Sequence, residues 1–257
     1  QLRRVMLCGN YGDPIMARDC KETLAWMHGV SPDTRLSMHT NGGARSARWW
    51  RELGGVMRGQ NFVRFGIDGL EDTNHLYRQK VKWKALMRNV AAFVAGGGRA
   101  EWDFLVFRHN EHQVEAARAL ASELGFTTFS PKRTQRFLDK RTGEVKLATG
   151  VKDSSGAVVR QLEPPSSERW LNREVETTWR QLLLRYGSQD AVHSAAEVKC
   201  KVGANGDRSV YVAADGLAFP CCWLGQQVYN ERMSDDQRQV VRLAEALPGG
   251  LGALDAR

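Results

Sequence analysis

The sequence predicts an α/β protein: parallel strands joined by crossover helices, with a polar pocket at the carboxyl ends of the strands. Three observations carry this. Short apolar, β-prone runs recur along the first half of the chain, separated by amphipathic helical segments at a repeat of roughly 25–40 residues, which suits βα units. The apolar runs empty into polar turns, at Gly9–Pro14, Thr40–Gly42, Gly66–Gly69 and Arg108–Asn110. With 257 residues and 42% hydrophobic content, the chain can bury a sizeable core as one barrel-type domain or as a domain with an appendage. Ligands of such folds sit where strands end, so these turns are expected to line one pocket.

The elements follow in order. Arg4–Pro14 (RVMLCGNYGDP) opens the chain with a strand at Val5–Cys8 that runs into a Gly-rich loop ending in an acid and a proline. Met16–His28 sets Ala17, Cys20, Leu24 and Met27 at helical spacing. Strand Leu36–His39 precedes the turn Thr40-Asn41-Gly42-Gly43, and Ala44–Leu53 reads as a helix with Trp49, Trp50 and Leu53 toward the core. Strand Phe62–Phe65 leads into Gly66-Ile67-Asp68-Gly69; a helix fits Val81–Val94, stopped by Gly96-Gly97-Gly98. Strand Trp102–Phe107 is followed by Arg108-His109-Asn110. Helix Glu111–Leu124 shows Val114, Ala117, Ala121 and Leu124 on one face, and Phe126–Phe129 is a fifth strand.

Past Ser130 the character changes. Turn signals at Arg141-Thr142-Gly143 and Ser154-Ser155-Gly156, then Pro164-Pro165, mark hairpin and loop. Glu168–Tyr186 reads as a helix with Trp170, Val175, Trp179, Leu182 and Leu183 as its apolar members. A hairpin follows, Ser209–Ala213 and Leu217–Phe219 around Ala214-Asp215-Gly216, and Ser234–Leu247 is a last helix. The expected organisation is a barrel portion over 1–130, a connecting hairpin and helix region over 131–190 and a small extension over 191–257.

The formal charge of +8 and a pI near 9.4 permit a nucleic-acid partner without requiring one. The densest basic run, Lys132, Arg133, Arg136, Lys140 and Arg141, reads as a solvated loop. No run of about 18 apolar residues exists, so no membrane span is expected, and no signal peptide is visible. The first residues already look like a core strand and no terminating pattern closes the chain at Arg257, so a fragment cut at both ends is expected. Of five cysteines, Cys8 and Cys20 fall on expected core positions. Cys200, Cys221 and Cys222 flank the C-terminal hairpin, whose folding would bring them together. Three thiols there begin a metal site, or are simply buried; without a secretion signal a disulfide is disfavoured.

The order of these motifs resembles the radical S-adenosylmethionine (SAM) superfamily, in the branch with a C-terminal SPASM or twitch extension found in peptide-modifying and sulfatase-maturing enzymes. Gly12-Asp13-Pro14 resembles the end of the family's Gly-Gly-Glu-Pro loop, which holds the SAM amino group. Thr40-Asn41-Gly42 resembles the Thr-Asn-Gly at the next strand end, and Gly66-Ile67-Asp68-Gly69 resembles the Ser-x-Asp-Gly element. In that element the Ser contacts SAM and an Arg twelve positions on binds its carboxylate; Arg78 stands at that place, and Asn110 lies at the following strand end. Gly216 to Cys221 fits the Gly-x4-Cys of the SPASM hairpin, with Cys200 as the preceding ligand and Cys222 as the alternative to Cys221. The likeness spans Val5–Phe129 and Cys200–Cys222.

The resemblance implies a partial (β/α)6-type barrel, with its first strand and cluster loop missing, plus a small C-terminal β-hairpin and helix. It implies SAM as cofactor, reductive cleavage to a 5′-deoxyadenosyl radical, a peptide or protein substrate, and an electron donor such as flavodoxin or ferredoxin in a reducing cytoplasm. The family's Cys-x3-Cys-x2-Cys, which binds the catalytic [4Fe–4S] cluster, is absent, so those ligands would lie outside this chain. The later SPASM cysteines are missing too, leaving an auxiliary Fe–S cluster at Cys200, Cys221 or Cys222 incompletely ligated. Asp13 replaces the family's Glu and Gly66 its Ser. His109 and His112, which flank a strand end, and Tyr11 and Trp223 are candidate substrate contacts, with solvent exposure or ordinary packing the expected account of all four. The alternative is a non-catalytic peptide- or RNA-binding barrel remnant whose hairpin thiols hold a structural metal. An RNA-modifying radical enzyme is disfavoured by the extension type.

Overall fold

The computed structural model of the protein describes residues 2–9, 12–153, 155–196, 209–214, 216–219, 222 and 225. It divides into two units, Gln1–Ser194 and Ala195–Arg257. The first holds a five-stranded sheet of β1 (Arg4–Leu7), β2 (Arg35–Thr40), β3 (Phe62–Gly66), β4 (Ala100–Leu105) and β5 (Thr128–Lys132). The order is strictly sequential and every pair is parallel. Parallel neighbours need crossover connections, and these turn with one hand, so a sequential order puts the connecting helices on one face. The connections are α1 (Cys20–Val30), α2 (Ala47–Val56), α3 (Asn74–Tyr77) with α4 (Trp83–Ala95), and α5 (Val114–Glu123). This α/β arrangement is the one expected for part of a barrel.

Strand periodicity shows which face the helices cover. Leu36, Met38, Val63, Phe65, Trp102 and Phe104 point one way and are fully buried with Leu24, Trp50, Leu53, Leu86, Val90 and Phe93 from the helices. Trp50, Phe65 and Phe93 meet as a ring cluster with centroids 5.3–6.0 Å apart, mostly edge to face. The intervening residues face the other way and are mostly polar, His39, Arg64, Glu101, Asp103 and Lys132 among them, with Phe62 under the Arg64 guanidinium. Arg64 pairs with Glu101 at 2.6 Å and lies 3.7 Å from Asp103, which Lys132 approaches at 3.6 Å. Burial and then the Arg64 charge lower the His39 pKa, keeping its imidazole neutral beside that cation.

Several boundaries differ from the sequence expectation for identifiable reasons. The first helix begins at Cys20 rather than Met16, because Pro14–Met16 forms a separate 3₁₀ turn that ends in extended backbone at Ala17. The second begins at Ala47, since Arg45 has φ of 70° and Ser46 caps the helix by accepting the Trp49 N–H at 3.3 Å. Strand β5 continues through Pro131, which a terminal strand tolerates because one side of it needs no ladder donor. Cys8, expected in the core, is exposed. It lies just past β1, which has a strand neighbour on one side only among the described residues. Cys20 is buried as expected, its Sγ 3.7 Å from Met38 Sδ, and burial pushes its thiol up to about 11. The α5 face expected from Val114, Ala117 and Ala121 is buried.

Beyond β5 the first unit adds an antiparallel hairpin, β6 (Thr149–Lys152) with β7 (Val158–Leu162), around the Ser154-Ser155-Gly156 turn signal. Two helices follow, α6 (Arg173–Tyr186) and α7 (Gln189–Ala195). Leu162, Val151, Phe137 and Phe107 form a second apolar cluster that seats the hairpin under the β4 end. The second unit is described only as a short hairpin, β8 (Tyr211–Val212) with β9 (Ala218–Phe219), closed by Ala213 N–H donating to the Leu217 carbonyl at 2.8 Å. This is the hairpin the sequence predicts. Cys222 is exposed; Cys200, Cys221, Trp223 and the helix expected at Ser234–Leu247 lie outside the described residues. No helix among the described residues is long and apolar enough to cross a membrane.

Candidate functional site

The loops after β1, β2, β3 and β4 lie at the carboxyl end of the sheet, and side chains tie the β1 loop to the β2 loop and the β3 loop to the β4 loop. Gly12 lies at an exposed bend, and Pro14 opens the 3₁₀ turn behind it. Asp13 caps this turn, one carboxylate oxygen accepting the Ile15 N–H at 3.2 Å. Its other oxygen accepts the Asn41 N–H at 2.6 Å, joining the β1 loop to the β2 loop. Each oxygen keeps a lone pair for a further donor. Arg45 locks the same turn from behind, donating through Nε to the Ile15 carbonyl and through Nη2 to that of Ala17, both at 2.6 Å. Nothing in the sequence pattern marked Arg45, because its partners are main-chain carbonyls distant in sequence.

The β2 loop is shaped by its own side chains. Thr40 is buried and its hydroxyl accepts the Gly42 N–H at 3.0 Å, while the Asn41 side-chain carbonyl accepts the Gly43 N–H at 2.9 Å. Gly42 has φ of +68° and packs where a Cβ would meet Leu86 and Phe65, so only glycine suits the place. Its carbonyl takes an N–H from buried Asn89 at 2.9 Å. The Asn41 side-chain nitrogen has no hydrogen-bond partner among the described residues, and Asn41 helps to line a cleft.

At the β3 end, Asp68 is fully buried. One of its oxygens accepts the Leu105 N–H at 2.6 Å, and the other accepts Arg78 Nε–H at 2.6 Å. Burial pushes its carboxyl above the usual carboxylate range, with Arg78 and the Leu105 N–H opposing that rise. Asn110 is buried too and spends its amide on the main chain: it accepts from Phe107 N–H at 2.7 Å and donates to the Asp68 and Leu105 carbonyls, both at 2.9 Å. Asn110 thus holds the β3 and β4 loops together, with no donor left over.

Gly66 and Arg78 form the most informative pair. A Cβ at Gly66 would lie 2.5 Å from Arg78 Nη2 and 3.1 Å from its Cζ. The guanidinium therefore occupies the space that a side chain at position 66 would need. The short helix α3, unmarked by apolar periodicity, delivers Arg78 to this point at its C-terminal end. With Nε held by Asp68, the Nη groups have no hydrogen-bond partner among the described residues; the side chain is 29% exposed and lines the cleft. Gly66→Ser is expected to lower stability by about 1–3 kcal/mol as the guanidinium is displaced. The urea midpoint measures this; an unchanged midpoint would mean that Arg78 swings aside at no cost.

The cleft encloses about 480 Å³ between Asn41, Tyr77 and Arg78 on one wall and Val151, Lys152 and Arg136 on the other. Of the basic run read as a solvated loop, Arg136 faces this cleft, whereas Lys132 reaches Asp103 and Arg133 donates to the Arg169 carbonyl at 3.1 Å. His109 stacks on Phe107 at 5.5 Å and 10°, and burial lowers its pKa to about 4, so it is a neutral ring at ordinary pH; His112 is exposed. Among the described residues no three His, Cys, Asp or Glu side chains are grouped to hold a metal. Cys200 and Cys221 stand outside that statement, and so does Tyr11 as a loop candidate.

Neither the family models nor the curated proteins searched contain a match to this sequence. Solved structures do. The chain is similar to SuiB of Streptococcus suis, with TM-score 0.50 at 10% identity over 90% of this chain and 52% of SuiB. It is similar to SuiB bound to S-adenosylmethionine, with TM-score 0.50 at 10% identity over 98% of this chain and 56% of SuiB. Against SuiB bound to the precursor peptide SuiA the TM-score is 0.49 at 10% identity, over 99% and 56%. The chain thus spans about half the length of the solved structures it matches, and the likeness is one of fold.

Proposed function

We propose that this chain is the SAM-binding portion of a radical SAM enzyme that acts on a peptide or protein. The observation that carries it is the Gly66–Arg78–Asp68 arrangement at the end of β3: a guanidinium fixed through Nε, its Nη edge free, packed over a strand end with no side chain. A forked cation held this way suits the carboxylate of an amino-acid-like ligand through paired hydrogen bonds. The order of the strand-end motifs supports SAM as that ligand, and SuiB, of like fold, has been crystallised with it.

In this reading Asp13, with the Gly12–Pro14 backbone, receives the SAM ammonium, and Arg78 its carboxylate. Thr40, Asn41 and Gly42 form the polar wall for the ribose, Asn41 through its side-chain NH2 group. Asp68 orients Arg78, and Gly66 gives it room. Asn110 keeps the β3 and β4 loops in register beneath. SAM supplies the reactive adenosyl group when bound, while these residues hold it in place. The described residues do not provide the ligand set of a catalytic [4Fe–4S] cluster: Cys20 is buried, and its thiol is pushed up to about 11, against thiolate formation. No step is assigned to such a cluster through these residues. The SPASM-like hairpin supports a polypeptide substrate, with Cys200 and Cys221 or Cys222 as candidate ligands of an auxiliary cluster.

Equilibrium dialysis with radiolabelled SAM tests this. The wild type is expected to retain SAM, and Arg78→Lys, which keeps the charge but loses the fork, to bind about tenfold more weakly. No SAM retention by the wild type would overturn the proposal.

A further inference from the structure

We propose that the cleft beside Arg78 binds an extended acidic segment of the polypeptide substrate, read by Arg136 and Lys152 and by the open edge of β6. The inference takes from the proposed function only that SAM occupies the Arg78 end of the cleft.

Charge is the first argument. Arg78, Arg136 and Lys152 all line the cleft; the buried carboxylate of Asp68 is paired with Arg78, and Arg136 is a weaker, more distant influence on it. Among the described residues neither Arg136 nor Lys152 has a carboxylate partner within ion-pair distance. The surplus is not explained by SAM. Its sulfonium and ammonium outnumber its one carboxylate, so the cofactor is itself a net cation. A cationic cofactor in a cleft with two unneutralised cations calls for an anionic second ligand.

Backbone geometry is the second. Thr149, Gly150, Val151 and Lys152 are consecutive in β6, and all four line the cleft. Alternate side chains of a strand point to opposite faces, so four consecutive lining residues bring the main chain of β6 to the cleft wall, beside Leu162 of β7. β7 pairs one edge of β6, and no strand pairs the other among the described residues. The Lys152 carbonyl on this strand accepts the Gln79 side chain at 3.3 Å, which pins the hairpin to the segment after α3. An extended peptide can add to such an edge through main-chain hydrogen bonds, with Arg136 and Lys152 selecting acidic side chains.

The same features favour peptide over single-stranded RNA. Base recognition needs a free aromatic face. The aromatic ring of the cleft, Tyr77, is already flanked by guanidiniums, with Arg78 Cζ at 5.1 Å and Arg136 Cζ at 5.3 Å from its centroid.

The test uses the full chain and three fluorescein-labelled probes, hexaglutamate, hexaglutamine and hexauridylate, read by anisotropy at about 0.15 M salt. Hexaglutamate is expected to bind and hexaglutamine not. Arg136→Gln with Lys152→Gln is expected to weaken hexaglutamate about tenfold. Arg133→Gln with Arg141→Gln, which removes two cations of the same basic run, is expected to leave it unchanged. Saturating SAM is expected not to displace it. All four substituted side chains are exposed, and circular dichroism checks that the variants stay folded. An equal loss in the Arg133/Arg141 variant would reduce the effect to diffuse charge and overturn the proposal. Displacement by SAM would show one shared anion subsite and overturn it as well. Tighter, Arg136- and Lys152-dependent binding of hexauridylate would overturn it in favour of nucleic acid. SAM retention is measured separately by dialysis: its absence with hexaglutamate binding intact strikes the cofactor reading and leaves the acidic-peptide cleft standing.

Discussion

Arg78→Ala is expected to cost about 3–5 kcal/mol of folding stability, far more than loss of a partly exposed arginine would suggest. The reason is Asp68. Its carboxylate is fully buried and balanced by the Arg78 Nε–H and the Leu105 N–H. Removing the guanidinium leaves a buried charge with one backbone donor, so the group takes up a proton instead. Burial already raises the Asp68 pKa, and Arg78 is the leading influence holding it down. Without Arg78 it rises further above its unfolded value. An acid with a raised native pKa binds more protons folded than unfolded, so its stability contribution is lost as pH rises through that native pKa. The deficit of Arg78→Ala should therefore be small at acid pH and grow toward neutrality. Urea titrations of wild type, Arg78→Ala, Asp68→Asn and the double variant, at several pH values, measure this. A pH-independent deficit, or one that Asp68→Asn does not relieve, would show that the pair is not the cause.

Trp102→Ala is the second large effect, at about 3–5 kcal/mol. Trp102 is fully buried in β4, packed on Phe126 at 5.2 Å and Phe129 at 5.4 Å. Its indole N–H donates to the Ile67 carbonyl at 2.8 Å, one residue before Asp68. Alanine would open a cavity and orphan that carbonyl directly beneath the candidate site. Trp102→Phe keeps much of the ring volume and loses the hydrogen bond, so it should cost about 1–3 kcal/mol. Both are read from urea midpoints. If phenylalanine costs as much as alanine, the hydrogen bond to the β3 loop outweighs packing; if it costs nothing, that bond does not hold the loop.

The sequence was most legible where a pattern is local and periodic. Alternating apolar runs at Leu36–His39 and Phe62–Phe65 gave strands close to those found, because side-chain direction alternates along a strand whatever its neighbours. Val114, Ala117 and Ala121 gave the buried face of α5 for the equivalent reason in helices. Boundaries slipped where a single side chain intervened, as with Ser46 and Arg45 ahead of α2.

The site was legible only in part. Gly12 to Pro14, Thr40 to Gly42, Gly66, Asp68, Arg78 and Asn110 were all marked by strand-end turns and by the order of motifs, and they do converge at one end of the sheet. What each side chain does there was not marked. Asp13 accepts two main-chain N–H groups, and Asn110 is consumed by three main-chain groups, which depends on loops tens of residues away. Gly66 looked like the loss of a contact; in three dimensions it is the room that Arg78 fills.

By itself, then, the sequence determined the α/β class, the succession of strands and helices and the loops that carry polar chemistry, because these follow from short-range periodicity and turn propensity. Only the tertiary structure decided that Cys8 is exposed, that Arg78 is clamped by a buried Asp68, and that Arg136 from the segment after β5 and Lys152 from the later hairpin line one cleft with Asn41 and Arg78. Those outcomes rest on contacts between residues far apart in the chain, where burial and charge are set by neighbours that no local window contains.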